Sequence, residues 1–363
     1  MHTKYIVLNE ENRSGAIAEA AGIIRSGGLA AFPTETVYGL GGDALSRTSS
    51  ERIYAAKGRP SDNPLIVHIC RTRALEYITR ELPPEAMALA DAFWPGPLTM
   101  ILKKSAAVPD ETTGGLDTVA VRMPAQETAL ALIRASGGYI AAPSANLSGH
   151  PSPTKAQHVA DDLDGRIEMI LDDGDVGIGI ESTIIDLTDE IPTILRPGYI
   201  TPQMLSDVIG EVRVDPALMT VSGDAKPKAP GMKYRHYAPR ANLILVRGTP
   251  DAVSEKISRF LADCEADGTP AGVICSDETE KCYRAGLCIS LGSRADGEAV
   301  AHNLFAALRA FDESDVEIIY SEWFDVPQTG EAVLNRLRKA AGYQIIDASD
   351  TADACGERCD ASL

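Results

Sequence analysis

Four short blocks in the first 200 residues combine hydroxyl, amide and cationic side chains next to predicted β-strands. The blocks cover residues 32–42, 57–68, 141–154 and 179–186, and an Arg-Pro-Gly sequence at 196–198 follows the last one. In the third block, a small-residue strand leads through a hydroxyl-rich loop to a helix whose predicted N-cap is Thr154. Strand end, hydroxyls and helix N-terminus together suit an anion such as phosphate, although a plain polar loop remains an equal alternative.

The second block places two cations at the end of a predicted helix. Lys57 and Arg59 flank Gly58, and Pro60 and Pro64 hold the following loop extended. Cations at a helix C-terminus often only complement the helix dipole, and a single histidine on a strand is more often structural than catalytic. The loop bounded by prolines nevertheless favours a functional site, because it would hold both cations in place.

Several common catalytic motifs do not occur. The glycines of the first block fit neither a dinucleotide fingerprint nor a P-loop, so alone the block predicts a strand running into a hydroxyl-rich and glycine-rich turn. A Gly-x-Ser-x-Gly elbow and a His-Glu-x-x-His helix are also absent, which argues against serine and zinc hydrolysis. None of the seven cysteines forms a Cys-x-x-Cys pair, so we expect reduced thiols and no structural zinc.

Strand-like and helix-like patterns alternate along most of the chain and predict two α/β domains. Residues 1–210 form the larger domain, with strands at 5–8, 29–32, 65–69, 98–102, 119–123, 139–142, 183–187 and 193–195. Its helices fall at 14–25, 48–57, 71–80, 84–93, 126–136 and 155–163, and a last one starts at 201. Residues 211–238 are predicted to be a linker, 239–346 a smaller parallel domain, and 347–363 a flexible tail.

The formal net charge is −18, with 52 acidic and 34 basic residues. This charge excludes a basic protein that coats nucleic acid, because such binding depends on cations that neutralise phosphates. Residues 1–210 hold 17 basic and 27 acidic side chains, residues 239–346 hold 11 and 17, and residues 211–238 hold five and three. The predicted linker is thus the part with surplus positive charge. Composition alone favours a solvated, protease-sensitive tether, and our hypothesis is that this linker is a lid that closes over the site.

Neither a signal peptide nor a membrane-spanning stretch is predicted. The apolar run near the N-terminus is only four residues long, and the longest uncharged stretch is rich in Gly, Pro and Ser. We therefore expect a cytoplasmic protein with no membrane partner.

Taken in order, the blocks resemble the YrdC-type threonylcarbamoyl-AMP synthase family. The shared elements are Pro-Thr-Glu-Thr-x-Tyr-Gly-Leu from Pro33, Lys57-x-Arg59, Ser144-x-Asn146, Ser182-Thr183 and Arg196-Pro-Gly198. The linker and second domain are similar to the long, two-domain branch of the family. The resemblance implies a large twisted open mixed sheet with helices, plus a smaller Rossmann-like parallel α/β domain.

The resemblance also implies a reaction. A nucleotidyltransferase of this kind joins L-threonine, bicarbonate or CO2, and ATP into threonylcarbamoyl-AMP, and it releases pyrophosphate. Mg2+ would come with ATP through the phosphates, with no metal ligand from the protein. The product would pass to a downstream tRNA threonylcarbamoyl transferase that modifies the adenosine next to the anticodon.

The family's functional residues map onto this chain position by position. The implied catalytic residues are Lys57, Arg59, Ser144 and Asn146. L-threonine would be bound by Thr36, His68, Arg122, Ala142 and Ser182, and ATP by Arg59, Asn63, Thr118, Ser144, Ser152 and Arg196. Lys233, Tyr234, Arg235 and His236 belong to the predicted lid. Arg122 suits the threonine carboxylate because a guanidinium can bind a carboxylate through two parallel hydrogen bonds.

Two other functions remain open from the sequence. The first domain could be an RNA-binding module, or it could transfer a carbamoyl group from carbamoyl phosphate, as a related domain does in hydrogenase-maturation proteins. The acidic charge of both domains disfavours stable nucleic-acid binding. The acylphosphatase and zinc-finger regions of the hydrogenase-maturation proteins have no counterpart here, which disfavours the second alternative.

Overall fold

The chain divides into two compact units, Met1–His236 and Tyr237–Leu363. The computed structural model describes residues 2–218 and 237–350. The four predicted lid residues, 233–236, lie outside the described residues, so the lid stays a prediction. Along the described ranges, no helix is long and apolar enough to cross a membrane.

Eleven strands form one mixed sheet in the described part of the first unit. From edge to edge the order is β1 (Lys4–Val7), β8 (Met169–Asp172), β2 (Ala30–Pro33), β3 (Tyr38–Asp43), β7 (Tyr139–Ala141), β4 (Ile66–Ile69), β6 (Thr118–Arg122), β5 (Leu98–Lys103), β9 (Thr183–Asp186), β10 (Thr193–Arg196) and β11 (Arg213–Val214). Neighbours in this order are often far apart in sequence, so the sheet brings together segments from the whole unit.

Helices cover both faces of this sheet. They are α1 (Arg13–Arg25), α2 (Arg47–Lys57), α3 (Leu75–Ile78), α4 (Pro84–Phe93), α5 (Glu127–Ala135), α6 (Ala156–Leu163) and α7 (Pro202–Ile209). Apolar side chains of α1 and α5 form one core with β2, β7 and β8. Those of α2, α4, α6 and α7 form a larger core with the central strands.

The central strands β4, β5 and β6 are buried on both faces, and side chains alternate between the faces along each strand. Val67, Met100 and Val121 point into the larger core. His68 and Arg122 are paired neighbours on the opposite face. His68 and Arg122, two of the residues predicted for the site, therefore share a face that is distinct from the larger core.

The structure adds strands that the sequence patterns missed. Gly39, Gly41 and Gly42 lie within β3 rather than in the predicted glycine-rich turn. A Cβ at Gly41 would lie 2.8 Å from the Phe32 ring, so glycine is needed where this ring crosses the strand. β8 and β11 were also missed. β11 lies within the predicted linker and extends the large sheet, because Arg213 pairs with Thr193.

One predicted helix of the first unit is shorter than expected. Residues 71–80 contain a 3-10 turn at Thr72–Ala74 followed by the four-residue helix α3. The helix predicted to start at residue 201 begins as expected, because the Thr201 side chain accepts a hydrogen bond from the Met204 N–H and Pro202 occupies the first helical position.

The described part of the second unit, residues 237–350, has a five-stranded sheet in which all pairs are parallel. Its order is β14 (Leu287–Ser290), β13 (Ala271–Cys275), β15 (Ile318–Glu322), β12 (Asn242–Arg247) and β16 (Ile345–Asp347). The helices are α8 (Pro250–Asp267), α9 (Gly297–Asp312) and α10 (Gly330–Ala340). This confirms the predicted fold class of a large mixed sheet plus a smaller parallel α/β domain. The start of the predicted tail is attached to the sheet, since the Ala348 N–H donates to the Arg247 carbonyl.

A fully buried carboxylate lies at the carboxyl end of β15. Glu322 accepts hydrogen bonds from Arg294 (2.6 Å), from the Ser276 backbone N–H and hydroxyl, and from the hydroxyls of Thr279 and Tyr283. Removing a charge from water is costly unless its interior partners replace the lost hydration. Here four residues from three segments provide those partners, so Glu322 ties the ends of the strands together.

Replacing Arg294 with Met should destabilise the second unit by about 3–5 kcal/mol, because the buried Glu322 carboxylate would lose its cation. Arg259→Met is the matched control. Its exposed pair with Glu255 on α8 contributes about 0.3–0.5 kcal/mol. Hydrogen exchange of the β12, β13 and β15 amides measures both effects. Equal protection factors in the two variants would contradict the assigned role of Arg294.

Candidate active site

Arg122 occupies the centre of the candidate site, at the end of β6. It is only 4% exposed. Its Nη1 donates to the Thr36 hydroxyl at 2.8 Å and its Nε to the Gly96 carbonyl at 3.3 Å, while Nη2 lies 2.8 Å from Glu35 Oε1. The guanidinium is thus held in one orientation by two separate segments of the chain, the turn at residues 35–36 and the loop at Gly96.

The hydroxyl-rich turn between β2 and β3 brings Thr36 to this position. Within the turn, the Thr34 hydroxyl donates to the Val37 carbonyl at 2.7 Å and contacts the Thr36 hydroxyl at 2.9 Å. The backbone N–H groups of Ile178 and Gly179 donate to the carbonyls of residues 35 and 36, respectively. The first and fourth sequence blocks, about 140 residues apart, are therefore directly bonded.

Ser182 lies next to Arg122 through an intervening threonine. The Ser182 hydroxyl is 2.7 Å from that of Thr99, and Thr99 is the strand partner of Arg122. Arg196 donates to the Ser182 hydroxyl at 3.1 Å and to its carbonyl at 3.0 Å. A Cβ at Gly198 would lie 2.4 Å from the Thr183 nitrogen. Close backbone packing therefore explains the glycine of the Arg-Pro-Gly sequence.

His68 is a buried, neutral histidine beside Arg122. Burial, and then the positive charge of Arg122, lower the pKa of His68 to about 3. Its Nδ1 lies 3.2 Å from the Ile66 carbonyl, and the Ala142 N–H donates to the same carbonyl at 2.9 Å. The five predicted threonine-binding residues, Thr36, His68, Arg122, Ala142 and Ser182, thus lie in or next to the neighbouring strands β3, β7, β4, β6, β5 and β9.

The depressed pKa of His68 predicts a pH dependence of stability. Between about pH 3 and pH 6.5 the unfolded chain binds a proton at this position and the folded protein does not, so the free energy of unfolding rises with pH. His68→Gln should remove about 1–3 kcal/mol of the change between pH 4.5 and pH 7. Urea unfolding of the first unit measures this change. The exposed His2 provides the control variant, His2→Gln, and an identical pH slope in wild type and His68→Gln would contradict the assignment.

Lys57 joins the second block to the third. Its ammonium is buried at the end of α2 and donates to the backbone carbonyls of Ser144 and Asn146. The Asn146 side chain then donates to the carbonyls of Leu147 at 2.7 Å and His150 at 2.9 Å. Lys57 and Asn146 together fix the loop that presents Ser144.

The helix after this loop does not begin as predicted. Lys155, not Thr154, is the N-cap of α6, and it makes no side-chain capping bond. The Thr154 backbone N–H instead donates to Nδ1 of His158, a ring within the helix. The short-range N-cap pattern at Thr154 was overridden by this local contact.

Other residues predicted for ATP lie on loops around the same sheet. Arg59 donates to the carbonyls of Asn63 at 3.2 Å and Pro64 at 3.1 Å, which closes the loop between α2 and β4. Asn63 is buried, and its Oδ1 accepts no hydrogen bond. Thr118 begins β6, the strand that pairs with β4.

The third block also reaches the fourth. The Ser152 hydroxyl donates to Glu181 at 2.6 Å, directly before Ser182. Glu35, Thr99 and Glu181 were not predicted as site residues from the sequence. Glu35 and Glu181 stand inside the blocks, but Thr99 becomes visible only through strand pairing. Among residues 2–218 and 237–350, no group of three or more His, Cys, Asp or Glu side chains could hold a metal ion.

Two family models match this chain. A family model for Sua5, YciO and YrdC proteins, described as telomere recombination, matches residues 22–198. A second model, described as the C-terminal domain of threonylcarbamoyl-AMP synthase, matches residues 200–342. Together the two models span most of the chain.

Full-length relatives and a solved structure are similar over the same span. A threonylcarbamoyl-AMP synthase of Pyrococcus abyssi is 52% identical over 94% of this chain and 99% of its own length, and one of Bacillus subtilis is 50% identical over 91% and 94%. The crystal structure of P. abyssi Sua5 complexed with L-threonine matches with a TM-score of 0.90 and 50% identity, over 96% of this chain and 99% of that one. The chain therefore belongs to the threonylcarbamoyl-AMP synthase family, in its two-domain form.

Proposed function

We propose that this protein is an L-threonylcarbamoyladenylate synthase. The observation that carries the proposal is the buried Arg122 guanidinium, which Thr36 and Gly96 hold beside the neutral ring of His68 and within reach of the Ser182 segment. A fixed guanidinium suits the carboxylate of an amino acid. The P. abyssi relative that shares this fold was crystallised with L-threonine.

The proposed reaction has two bond-forming steps. The unprotonated threonine amine attacks the carbon of CO2 and loses a proton, or attacks bicarbonate, whose C–O bond breaks with loss of water, and a carbamate forms. A carbamate oxygen then attacks the α-phosphorus of ATP, the bond between the α-phosphorus and the bridging oxygen breaks, and pyrophosphate leaves. This makes the enzyme a nucleotidyltransferase. Such chemistry depends on positioning and on positive charge near the phosphate oxygens.

The chain's own residues divide this work. Arg122 binds the threonine carboxylate. The neighbouring His68 ring is neutral, so it does not compete with Arg122 for that carboxylate as a second cation would. Arg59, Thr118, Ser144, Ser152 and Arg196 are proposed to hold the nucleotide. The orphaned Oδ1 of Asn63 fits a hydrogen-bond donor on ATP, since a buried acceptor without a donor is otherwise costly.

Mg2+ is proposed to come with ATP, where it offsets phosphate charge. Asn146 would act near it by steadying the loop, as its bonds to Leu147 and His150 support. The product would be passed to a tRNA threonylcarbamoyl transferase. The acidic charge of the chain favours this enzymatic role over RNA binding by the same domain.

The direct test is pyrophosphate release from ATP and Mg2+ with bicarbonate and one amino acid at a time. We expect release that depends on L-threonine and on bicarbonate, with serine and alanine much less effective. Mass spectrometry of the product should show threonylcarbamoyl-AMP. Release that was the same with L-threonine as with no amino acid would refute the proposed function.

Lys57→Met should lower kcat/KM for ATP by about 100-fold, because the Ser144 loop loses the hydrogen bonds that Lys57 gives it. Lys4→Met is the matched control. It removes an exposed pair with Glu19 near the edge strand β1 and should leave the rate unchanged. Steady-state pyrophosphate kinetics compare the two variants. Full activity of Lys57→Met would remove Lys57 from the site while the function itself could stand.

A further inference from the structure

Glu35 has no assigned role, yet its carboxylate lies directly at the candidate site. Both Glu35 oxygens are shielded from water and accept no hydrogen bond. Arg122 Nη2 lies 2.8 Å from Glu35 Oε1, but neither atom meets hydrogen-bond geometry. The contact is therefore a charge-charge contact without directed bonding.

Other shielded carboxylates of the same unit are well bonded. Asp173 accepts hydrogen bonds from Arg13, Gln126 and Thr128, and Glu181 accepts one from Ser152. Leaving a shielded acceptor without a donor costs about 1–3 kcal/mol. Glu35 departs from this pattern at a position where a ligand would bring donors.

We propose that Glu35 binds the α-ammonium group of the amino-acid substrate. This inference rests on the proposed function. In an α-amino acid the ammonium and carboxylate are attached to the same carbon, so a substrate carboxylate on Arg122 places its ammonium close to the carboxylate beside Arg122. An ammonium has three N–H donors, which can satisfy the two Glu35 oxygens. Glu35 would thus select substrates that carry an amino group.

The charged surroundings support this assignment. Arg122 on β6 is the cation facing Glu35, and His68 on β4 is neutral, since its pKa is about 3. The adjacent segment 177–180 contacts the turn through backbone N–H groups and contains no titratable side chain. The exposed 15% of the Glu35 side chain belongs to its carbon atoms, since both oxygens are shielded.

The test compares two ligands that differ only in the ammonium. Calorimetry measures binding of L-threonine and of 2,3-dihydroxybutanoate, in which a hydroxyl replaces the amino group, to wild type and to Glu35→Gln. We expect Glu35→Gln to weaken L-threonine binding about 10-fold or more, because the charge-assisted hydrogen bonds between the ammonium and the carboxylate are lost. Binding of the hydroxy acid, which has no ammonium, should change by less than about 3-fold. Glu35→Asp, which keeps the charge, should retain part of the preference for threonine.

Glu168→Gln is the matched control, because it also removes a carboxylate paired with an arginine, Arg52, outside the site. It should leave both affinities unchanged. If Glu35→Gln weakened the binding of both ligands equally, Glu35 would act only by positioning Arg122, and the proposal would be overturned. Unchanged or tighter L-threonine binding would overturn it too. If either outcome were found, pyrophosphate release by the wild type with L-threonine would show that the proposed function stands independently of the role of Glu35.

Discussion

The first unit is organised around one buried positive charge, that of Arg122. A guanidinium out of contact with water must be matched by fixed partners, and here they come from two separate segments. Thr36 lies in the turn before β3, Gly96 in the loop before β5, and Glu35 beside Thr36. The order of the strands brings these segments to one end of β6.

A second constraint is space. The backbone at Gly198 passes so close to Thr183 that no side chain fits there. This contact and the hydrogen bonds from Arg196 together fix the position of Ser182. β3 shows the same principle in the sheet itself, where Gly41 leaves room for the Phe32 ring. Gly41 and Gly198 therefore serve close packing of backbone and rings, whereas Gly58, Gly149 and Gly179 have positive φ angles.

The sequence predicted the fold well where apolar periodicity is strong. The central strands, the long helices and the parallel second domain are continuous apolar patterns, and these patterns reflect burial directly. β3 was missed because glycines give no apolar signal, and β11 because two exposed residues carry no pattern. Which atoms meet could not be predicted either. The ammonium of Lys57 lies on backbone carbonyls, and Glu35 gains its importance only from the position of Arg122.

The pairing of β9 with β5 has a consequence for how the protein is made. Three of the four blocks precede residue 155, but Ser182 and its support from Arg196 and Gly198 are synthesised later. When α1 to α6 have emerged from the ribosome, the nascent chain therefore already contains Arg122 but not all of the residues that surround it in the folded protein. Contacts between residues so distant in sequence form slowly. The candidate site would be completed as one of the last events in the folding of the unit, once Gly198 has left the ribosome.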